Sequence, residues 1–311
     1  MNYRANGKLL LTSEYFVLNG ALSLALPTQK GQSLQVTEEP FSQPILKWNA
    51  YNRLGRIWIA TILLLPTLDV LACKERSRKQ VNKLQNILQQ AKLLNPKFLS
   101  NTQQSLSVTT NLEFPEDWGL GTSSTLIYNI AKWANVDPFV LNKVSFNGSG
   151  YDIACANATL PIYYQLSDNK PIVKAAPFNP PFAKNIYFVY LRFKKDTRQG
   201  ITHYKKHQPN PQIIDQLSDI TRLVGRCKRL ETFEELLTEH ENIISAELQL
   251  KTARSLHFAD YPFGIIKSLG AWGGDFVLAT SSESETVTKA YFASKGFTTI
   301  VKYEDMILSD Y

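Results

Sequence analysis

Hydrophobic residues recur at helical spacing in several segments of the chain. Between Val81 and Ala91 they lie three or four residues apart, and Asn95–Pro96 marks the end of the helix that this spacing predicts. Similar spacing predicts a helix directly after the motif GLGTSS, ending before Asp137–Pro138. Two amphipathic helices are predicted in the segments PQIIDQLSDITRLVGRCKRL and TFEELLTEHENIISAELQL, and a further helix in SESETVTKAYFASKG.

Other segments are continuously apolar or alternate between apolar and polar residues, which is typical of β-strands. The segment KLLLTSEYFVLNGALSLALP predicts two apolar strands joined by a tight hairpin at Asn19–Gly20. A short helix and then a glycine-rich turn, FNGSGYDIACANAT, are predicted from Pro138 onward. Further strands are predicted in SLQVTEE, IWIATILLL, QSLSVTTNLEF, NIYFVYLRF, TTIVKY and the end of GIIKSLGAWGGDFVLAT.

The order of these elements favours an α+β fold. Strands and helices do not alternate strictly, which disfavours a parallel Rossmann sheet. The 311 residues suffice for one large or two medium-sized domains, and the proline-rich segment PFNPPFAK, at Pro177–Lys184, is typical of a domain joint. We therefore predict an N-terminal domain over residues 1–180 and a C-terminal domain over residues 181–311.

The charge balance narrows the classes of partner. A net charge of +7 favours anionic partners such as nucleotides and phosphorylated metabolites. The basic residues form small scattered clusters without interleaved aromatic residues, so we expect a small-molecule anionic substrate and no nucleic-acid partner. The longest apolar stretch, Ile57–Leu65, is too short to span a bilayer, and we expect no membrane partner.

The cellular location is predicted from two features. Glu14 interrupts the apolar run near the amino terminus, which disfavours a signal peptide. Cys73, Cys155 and Cys227 are far apart, which is typical of reduced thiols in a cytosolic protein. We therefore expect a cytoplasmic location. The sequence leaves the oligomeric state open, with a homodimer as one alternative.

The segment FPEDWGLGTSST places small residues and hydroxyls where a helix is predicted to begin. A helix amino terminus exposes unpaired amide hydrogens and a partial positive charge, and glycines let an anion approach that backbone closely. This pattern indicates an anion cradle at Gly119–Ser124; the alternative is an ordinary serine-capped helix after a glycine turn. The sequence contains neither the usual P-loop pattern nor GxGxxG.

Three other motifs place chemically useful groups among small residues. GSGYDIA sets Asp152 after two glycines, where it is either a general base or charge stabiliser, or a capping residue. GAWGGDF, Gly270–Phe276, indicates a close approach of the backbone to a ligand, or a tight hairpin. Lys8 precedes an apolar run, and Glu14 within that run is either a surface loop residue or the partner of a cation.

Taken in order, these motifs resemble those of the GHMP kinase superfamily. GKLLLTSEYFVLNGALSLALP is similar to its first motif, PEDWGLGTSST to its second and GAWGGDF to its third. The string GSGYDIA resembles the segment of the catalytic aspartate and is typical of the GYDIA-type members. The resemblance implies a two-domain fold, with a ribosomal-protein-type β/α N-terminal domain, a ferredoxin-like C-terminal domain, and ATP and acceptor bound between them.

The resemblance also implies roles for individual residues. ATP phosphates would be bound by Gly119, Leu120, Gly121, Thr122, Ser123 and Ser124, with Ser123 as a ligand of Mg²⁺. Asp152 would be the catalytic base, and Lys8 would pair with it and neutralise charge. Residues 270–274 would steady the phosphate loop, and we assign Glu14, Arg198, Gly270 and Ala271 to the substrate. Thr122 replaces a common serine, Trp272 replaces a glycine, and the acidic ligand of Mg²⁺ is not identified.

The resemblance further suggests the acceptor. GSGYDIA and GAWGGD are most similar to phosphomevalonate kinases, and the first motif is nearly as similar to mevalonate kinases. A phosphate acceptor is largely ionised and requires cations, which the segment Arg192–Lys206 supplies at Lys194, Lys195, Arg198 and Lys205. The alternative is that these cations are solvated. We expect phosphomevalonate, with mevalonate or another metabolite, and a non-catalytic ligand-binding protein, as the alternatives.

Overall fold

The chain folds into two compact units of mixed α and β structure. The computed structural model describes residues 1–192, 204, 210–270, 272 and 274–308. The first unit consists of Met1–Gly7, Lys30–Glu116 and Leu120–Asn157. The second unit consists of Lys8–Gln29, Asp117–Gly119 and Ala158–Tyr311. The predicted boundary between residues 180 and 181 stays a prediction.

The first unit is built on a mixed sheet with helices. Its strand order is β5-β4-β3-β6-β2, in which β3 and β6 are parallel and the other neighbours antiparallel. These elements are β1 (Asn2–Leu10), β2 (Ser23–Glu39), β3 (Ile45–Tyr51), β4 (Ile57–Leu64), β5 (Val70–Cys73), α1 (Arg78–Leu94), β6 (Ser105–Leu112), α2 (Thr122–Ala134), α3 (Pro138–Phe146) and α4 (Tyr151–Ala156). Strands β1 and β2 continue from this unit into the second.

One apolar core fills the first unit. The buried faces of α1 and α2 contribute Val81, Leu84 and Ile127, and the sheet contributes Leu34 and Trp48. The helical spacing that predicted α1 is confirmed, because its recurring apolar residues are the buried ones. At Gly31 in β2, an added Cβ would lie 2.1 Å from the carbonyl oxygen of Ala5, so the two backbones pack too closely for a side chain.

The second unit contains a hairpin and a four-stranded antiparallel sheet. The first residues of β2 pair with β7, which pairs with β8, and the four-stranded sheet has the order β10-β11-β9-β12. The elements of this unit that follow residue 158 are β7 (Ile162–Ser167), β8 (Lys170–Ala175), β9 (Ile186–Tyr190), α5 (Pro211–Arg226), α6 (Leu230–Leu248), α7 (Ala253–His257), β10 (Ile266–Ser268), β11 (Phe276–Thr280), α8 (Glu285–Ser294), β12 (Ile300–Lys302) and α9 (Tyr303–Met306).

Two expectations about local structure are wrong. The tight hairpin at Asn19–Gly20 is instead a short 3-10 helix, Phe16–Asn19, which Gly20 closes in the left-handed conformation at φ 87°. Phe16 and Val17 are buried by this turn, which a tight two-residue hairpin would not achieve. The glycine-rich turn after α3 is shorter than expected, because Tyr151–Ala156 forms helix α4.

The predicted α+β class is confirmed. Helices α5, α6 and α8 occupy the segments whose apolar spacing predicted them. Among the described residues, no helix is both long enough and apolar enough to cross a bilayer.

Candidate functional site

The glycine loop ends where helix α2 begins. Gly121 stands at the amino-terminal cap of α2 with φ 98°, a left-handed conformation that favours glycine. Within the described part of the chain, no side chain caps this helix start. The first-turn amides therefore have no capping side-chain oxygen that would compete with an anion. The serine-capped helix, which was the alternative to an anion cradle, is wrong.

The hydroxyls of the loop point in different directions. Ser124 is buried and donates from Oγ to the carbonyl oxygen of Gly121 at 2.9 Å. Thr125 donates to Gln32 Oε1 at 2.7 Å, which ties the first turn of α2 to strand β2. Ser123 is exposed and Thr122 half-buried. Ser123 thus presents an accessible hydroxyl at the helix start, whereas the Ser124 hydroxyl supports the backbone of the loop.

Gly119, the first glycine of the loop, belongs to the second unit and contacts two side chains of that same unit. Lys8 in β1 donates from Nζ to the carbonyl oxygen of Gly119 at 2.9 Å. Gly119 has φ 66°, and a Cβ added there would lie 1.9 Å from Oδ2 of Asp275. The Asp275 carboxyl therefore packs directly on the backbone at residue 119. Both the backbone conformation and this contact require glycine.

Aromatic rings fix the residues that precede Gly119. The Trp118 ring packs edge-on against Phe276, with centroids 5.3 Å apart, and lies 6.1 Å from the Tyr190 ring. Tyr190 also donates from its hydroxyl to the carbonyl oxygen of Asp117 at 3.3 Å. Because β9 and β11 are neighbours, Tyr190 and Phe276 act on this segment from adjacent strands.

Asp152 lies in the first turn of α4. Gly150 precedes it with φ 93°, so the chain turns sharply into this helix. Asp152 is half-buried, and its Oδ1 accepts the backbone N–H of Ile153 at 3.0 Å. A carboxylate at a helix amino terminus is stabilised in its charged form by the dipole. The side chain is thus placed in a defined position, consistent with either a catalytic or a capping role.

Glu14 lies in the interior of the second unit. The alternative of a surface loop residue is wrong, because the side chain is fully buried and its Oε1 lies 2.5 Å from Lys267 Nζ. The alternative of a partner for a cation is confirmed. Burial raises the pKa of Glu14 to about 7, and the Lys267 cation opposes that rise without cancelling it. The assignment of Glu14 to the substrate stays a prediction.

The third motif follows strand β10. Gly270 has φ 62°, and among the described residues a Cβ added there would meet no atom within 4 Å apart from its chain neighbours. Trp272 is buried, and its indole nitrogen donates to the carbonyl oxygen of Lys251 at 3.1 Å. The predicted substrate residues Arg198 and Ala271 lie outside the described residues, as do Lys194, Lys195 and Lys205.

Solved structures resemble this chain over its whole length. The mevalonate kinase of Methanococcus jannaschii aligns with a TM-score of 0.71 and 15% identity, covering 100% of this chain and 98% of that one. The phosphomevalonate kinase of Streptococcus pneumoniae, in complex with phosphomevalonate and AMPPNP, aligns with a TM-score of 0.70 and 16% identity, covering 97% and 99%. The fold is that of the GHMP kinases.

The chain also resembles a galactokinase structure, whereas comparisons of its sequence find no match. The galactokinase of Lactococcus lactis, complexed with galactose, aligns with a TM-score of 0.63 and 11% identity, covering 99% of this chain and 93% of that one. No protein-family model matches the sequence, and no curated protein matches it. The predicted two-domain GHMP kinase fold is confirmed, and at these identities the comparisons establish the fold alone.

The sequence did not reveal several residues of this region. Lys267 and Glu241 contact Glu14 and its surroundings, although both are more than two hundred residues away in the chain. Asp275 was visible only as the last polar residue of GAWGGDF, with no indication that it packs on Gly119. Tyr190 lay within the predicted strand NIYFVYLRF, and nothing in its spacing distinguished it from core residues.

Proposed function

We propose that this chain is an ATP-dependent small-molecule kinase that uses Mg²⁺ with its nucleotide. The observation that carries the proposal is the start of α2, where two glycines lead into a helix whose first turn no described side chain caps. A helix start of this kind is suited to phosphate groups, because several amides and the dipole act together on one anion. The GHMP kinase fold supports phosphate binding at this site by analogy.

The phosphates of ATP would be bound by the glycine loop. Gly119, Leu120, Gly121 and Thr122 would offer backbone amides, and Ser123 and Ser124 would stand at the helix start. Leu120 is fully buried, so it would anchor the loop rather than touch the nucleotide through its side chain. The Lys8 bond to the Gly119 carbonyl holds the loop backbone in place.

Magnesium fits this arrangement as a nucleotide-borne ion. Among the described residues, no group of three or more histidine, cysteine, aspartate or glutamate side chains is suited to hold a metal. Mg²⁺ in kinases is usually bound by one or two protein oxygens together with substrate phosphates and water. The exposed hydroxyl of Ser123 would be one such oxygen. The ion would supply charge neutralisation at the transferring phosphoryl group.

We propose Asp152 as the catalytic base and Lys8 as the group that neutralises developing charge. In the transfer, an acceptor oxygen would bond to the γ-phosphorus while the bond to the bridging oxygen breaks, and ADP would leave with that electron pair. An alcohol acceptor would give its proton to Asp152. A phosphate acceptor is already largely ionised, so Asp152 would then act mainly through its charge.

For the acceptor we propose phosphomevalonate, in the pathway of isoprenoid precursors. The motifs GSGYDIA and GAWGGD and the cationic segment around Arg198 support a phosphorylated acceptor. Mevalonate is the second candidate, since a mevalonate kinase structure aligns as well as a phosphomevalonate kinase structure does. We also propose a cytoplasmic location, with a homodimer as one alternative for the oligomeric state.

Nucleotide binding can be tested separately from turnover. ATP with Mg²⁺ at a concentration of about 100 times its Kd should stabilise the folded protein by roughly 2.7 kcal/mol, which a thermal-shift series detects. GTP and a nucleotide-free sample serve as comparisons. Absence of any shift at millimolar ATP would argue against the proposal. Specificity constants for phosphomevalonate and mevalonate then decide which is the preferred acceptor. A higher value for mevalonate would make mevalonate the first candidate.

A further inference from the structure

Four ionisable side chains meet in the interior of the second unit. Glu14 follows β1, Lys267 lies in β10, and His240 and Glu241 are neighbours in α6. The Glu14 and His240 side chains are fully buried, and those of Lys267 and Glu241 are 1% and 6% exposed. Lys267 Nζ lies 2.5 Å from Glu14 Oε1 and 3.9 Å from Glu241 Oε2. We call this group the Lys267 cluster.

The charges of the Lys267 cluster do not balance when both carboxyls are ionised. Nε2 of His240 accepts the backbone N–H of Ser13 at 2.8 Å, so that nitrogen carries no proton and the ring is neutral. One lysine cation therefore faces two carboxylates, which leaves one uncompensated negative charge. Such a charge is costly to bury, and a group in this position usually takes up a proton instead.

The unpartnered atoms of the cluster point to the same conclusion. Glu14 Oε2 and Glu241 Oε2 are buried acceptors with no hydrogen-bond donor among the described residues. Glu14 Oε2 lies 3.9 Å from His240 Nε2, which already accepts from Ser13 and has no hydrogen to offer. A proton on either carboxyl would remove the excess charge and leave one ionised acceptor fewer without a donor.

We propose that the Lys267 cluster is a binding site for one proton, shared between Glu14 and Glu241 and held at neutral pH. Lys267 and Glu241 are the charged groups that act on Glu14, and burial raises the pKa of Glu14 to about 7. Burial likewise raises the pKa of Glu241. Burial and the Lys267 cation hold the pKa of His240 well below its usual value, which keeps the ring neutral. The two carboxyls titrate as one coupled pair.

The location of the cluster gives the proton a structural consequence. Lys267 Nζ donates to the Ser268 carbonyl at 2.9 Å, and the Ser268 N–H donates to Glu241 Oε1 at 3.0 Å. The cluster therefore fixes the chain two residues before Gly270, where the third motif begins. Release of the proton adds carboxylate repulsion at this point, so mildly alkaline pH loosens the attachment of β10 to α6. This inference does not depend on the proposed kinase activity.

Carboxyl NMR of the full chain labelled with [¹³C]glutamate tests the proposal directly. In nucleotide-free protein, we expect a glutamate carboxyl resonance that titrates with a midpoint near pH 7, as set by Glu14. Glu14→Gln and Glu241→Gln each replace one carboxyl by a neutral amide of similar shape. Glu14→Gln should abolish the titration near neutrality. Glu241→Gln should move its midpoint to lower pH, because Glu14 stays buried but no longer faces a second carboxylate.

A matched surface variant controls for the loss of a glutamate. Glu285→Gln removes a half-exposed carboxyl that pairs with Lys289 at 2.6 Å, and the neutral titration should persist in it. If Glu14→Gln does not fold, the wild type and Glu241→Gln still decide the question. The proposal is overturned if every wild-type glutamate titrates in the acidic range, or if the midpoint of the neutral titration is the same in Glu241→Gln as in the wild type.

Discussion

Replacing Gly119 by alanine should separate backbone strain from a steric conflict with Asp275. At φ 66°, a non-glycine residue costs about 1–2 kcal/mol relative to glycine. The new Cβ would also lie 1.9 Å from Asp275 Oδ2 and 2.6 Å from its Cγ, so the carboxyl must move. Overpacking of this kind typically costs about 1–3 kcal/mol. We therefore expect Gly119→Ala to lower the free energy of unfolding by about 2–5 kcal/mol.

Gly270 provides the matched control for this prediction. Its φ of 62° is nearly the same, but in the part of the chain that the structure describes an added Cβ meets no atom within 4 Å beyond its chain neighbours. Gly270→Ala should therefore cost only the backbone strain of about 1–2 kcal/mol. In an Asp275→Ala background, Gly119→Ala should lose most of its steric cost, because only the Cβ of residue 275, at 3.1 Å, remains nearby. Its total cost should then approach that of Gly270→Ala. Chemical denaturation of the four variants and the wild type completes the cycle.

Two results would refute this reasoning. One is a Gly119→Ala variant no less stable than Gly270→Ala, which would mean that Asp275 moves aside without cost. The other is an equal effect of Gly119→Ala with and without the Asp275 carboxyl. Either result would remove Asp275 as the group that holds the first glycine of the loop.

Two further predictions concern Glu14 and Asp152. The folded state keeps a proton on Glu14 up to about pH 7, whereas the unfolded chain releases it near pH 4.5. The free energy of unfolding should therefore fall by roughly 3 kcal/mol as the pH rises from about 4.5 to about 7. Denaturation at several pH values should show no such fall in stability for Glu14→Gln. Protonation of His240 in the unfolded chain changes stability in the opposite direction, but only below pH 6.5 and equally in both proteins. For an alcohol acceptor, Asp152→Asn should lower kcat by about 10²–10⁴ in steady-state assays while leaving ATP binding intact. Asp168→Asn, in the β7–β8 turn, is the control, and an unchanged rate in Asp152→Asn would remove Asp152 from the chemistry.

The sequence predicted those helices and turns that are specified by residues close together in the chain. The buried residues of α1 recur at helical spacing, and the glycines before α2 correctly indicated a helix start. Gly20 indicated a hairpin, but its left-handed conformation closes a 3-10 helix instead. The β7–β8 hairpin was missed although Asp168 and Asn169, at φ 50° and 61°, form the type of turn that joins paired strands.

The contacts that define the candidate site are not local, and spacing along the chain does not reveal them. Glu14 looked like an interruption of an apolar run because its partner Lys267 follows 253 residues later. Asp275 likewise contacts Gly119 from a distant strand. The roles of the glycine loop and Asp152 stay predictions, which rest on the similarity of short ordered motifs. Buried charge pairs depend on tertiary packing and require the folded structure.

Acceptor-dependent phosphoryl transfer tests the central claim most directly. Purified protein with ATP and Mg²⁺ should form ADP only when a suitable acceptor is present, with phosphomevalonate giving the highest specificity constant in a panel that includes mevalonate, galactose and homoserine. The phosphorylated product should appear in equal amount with ADP. Folded protein that forms no ADP with any acceptor, and that ATP with Mg²⁺ does not stabilise, would contradict the account.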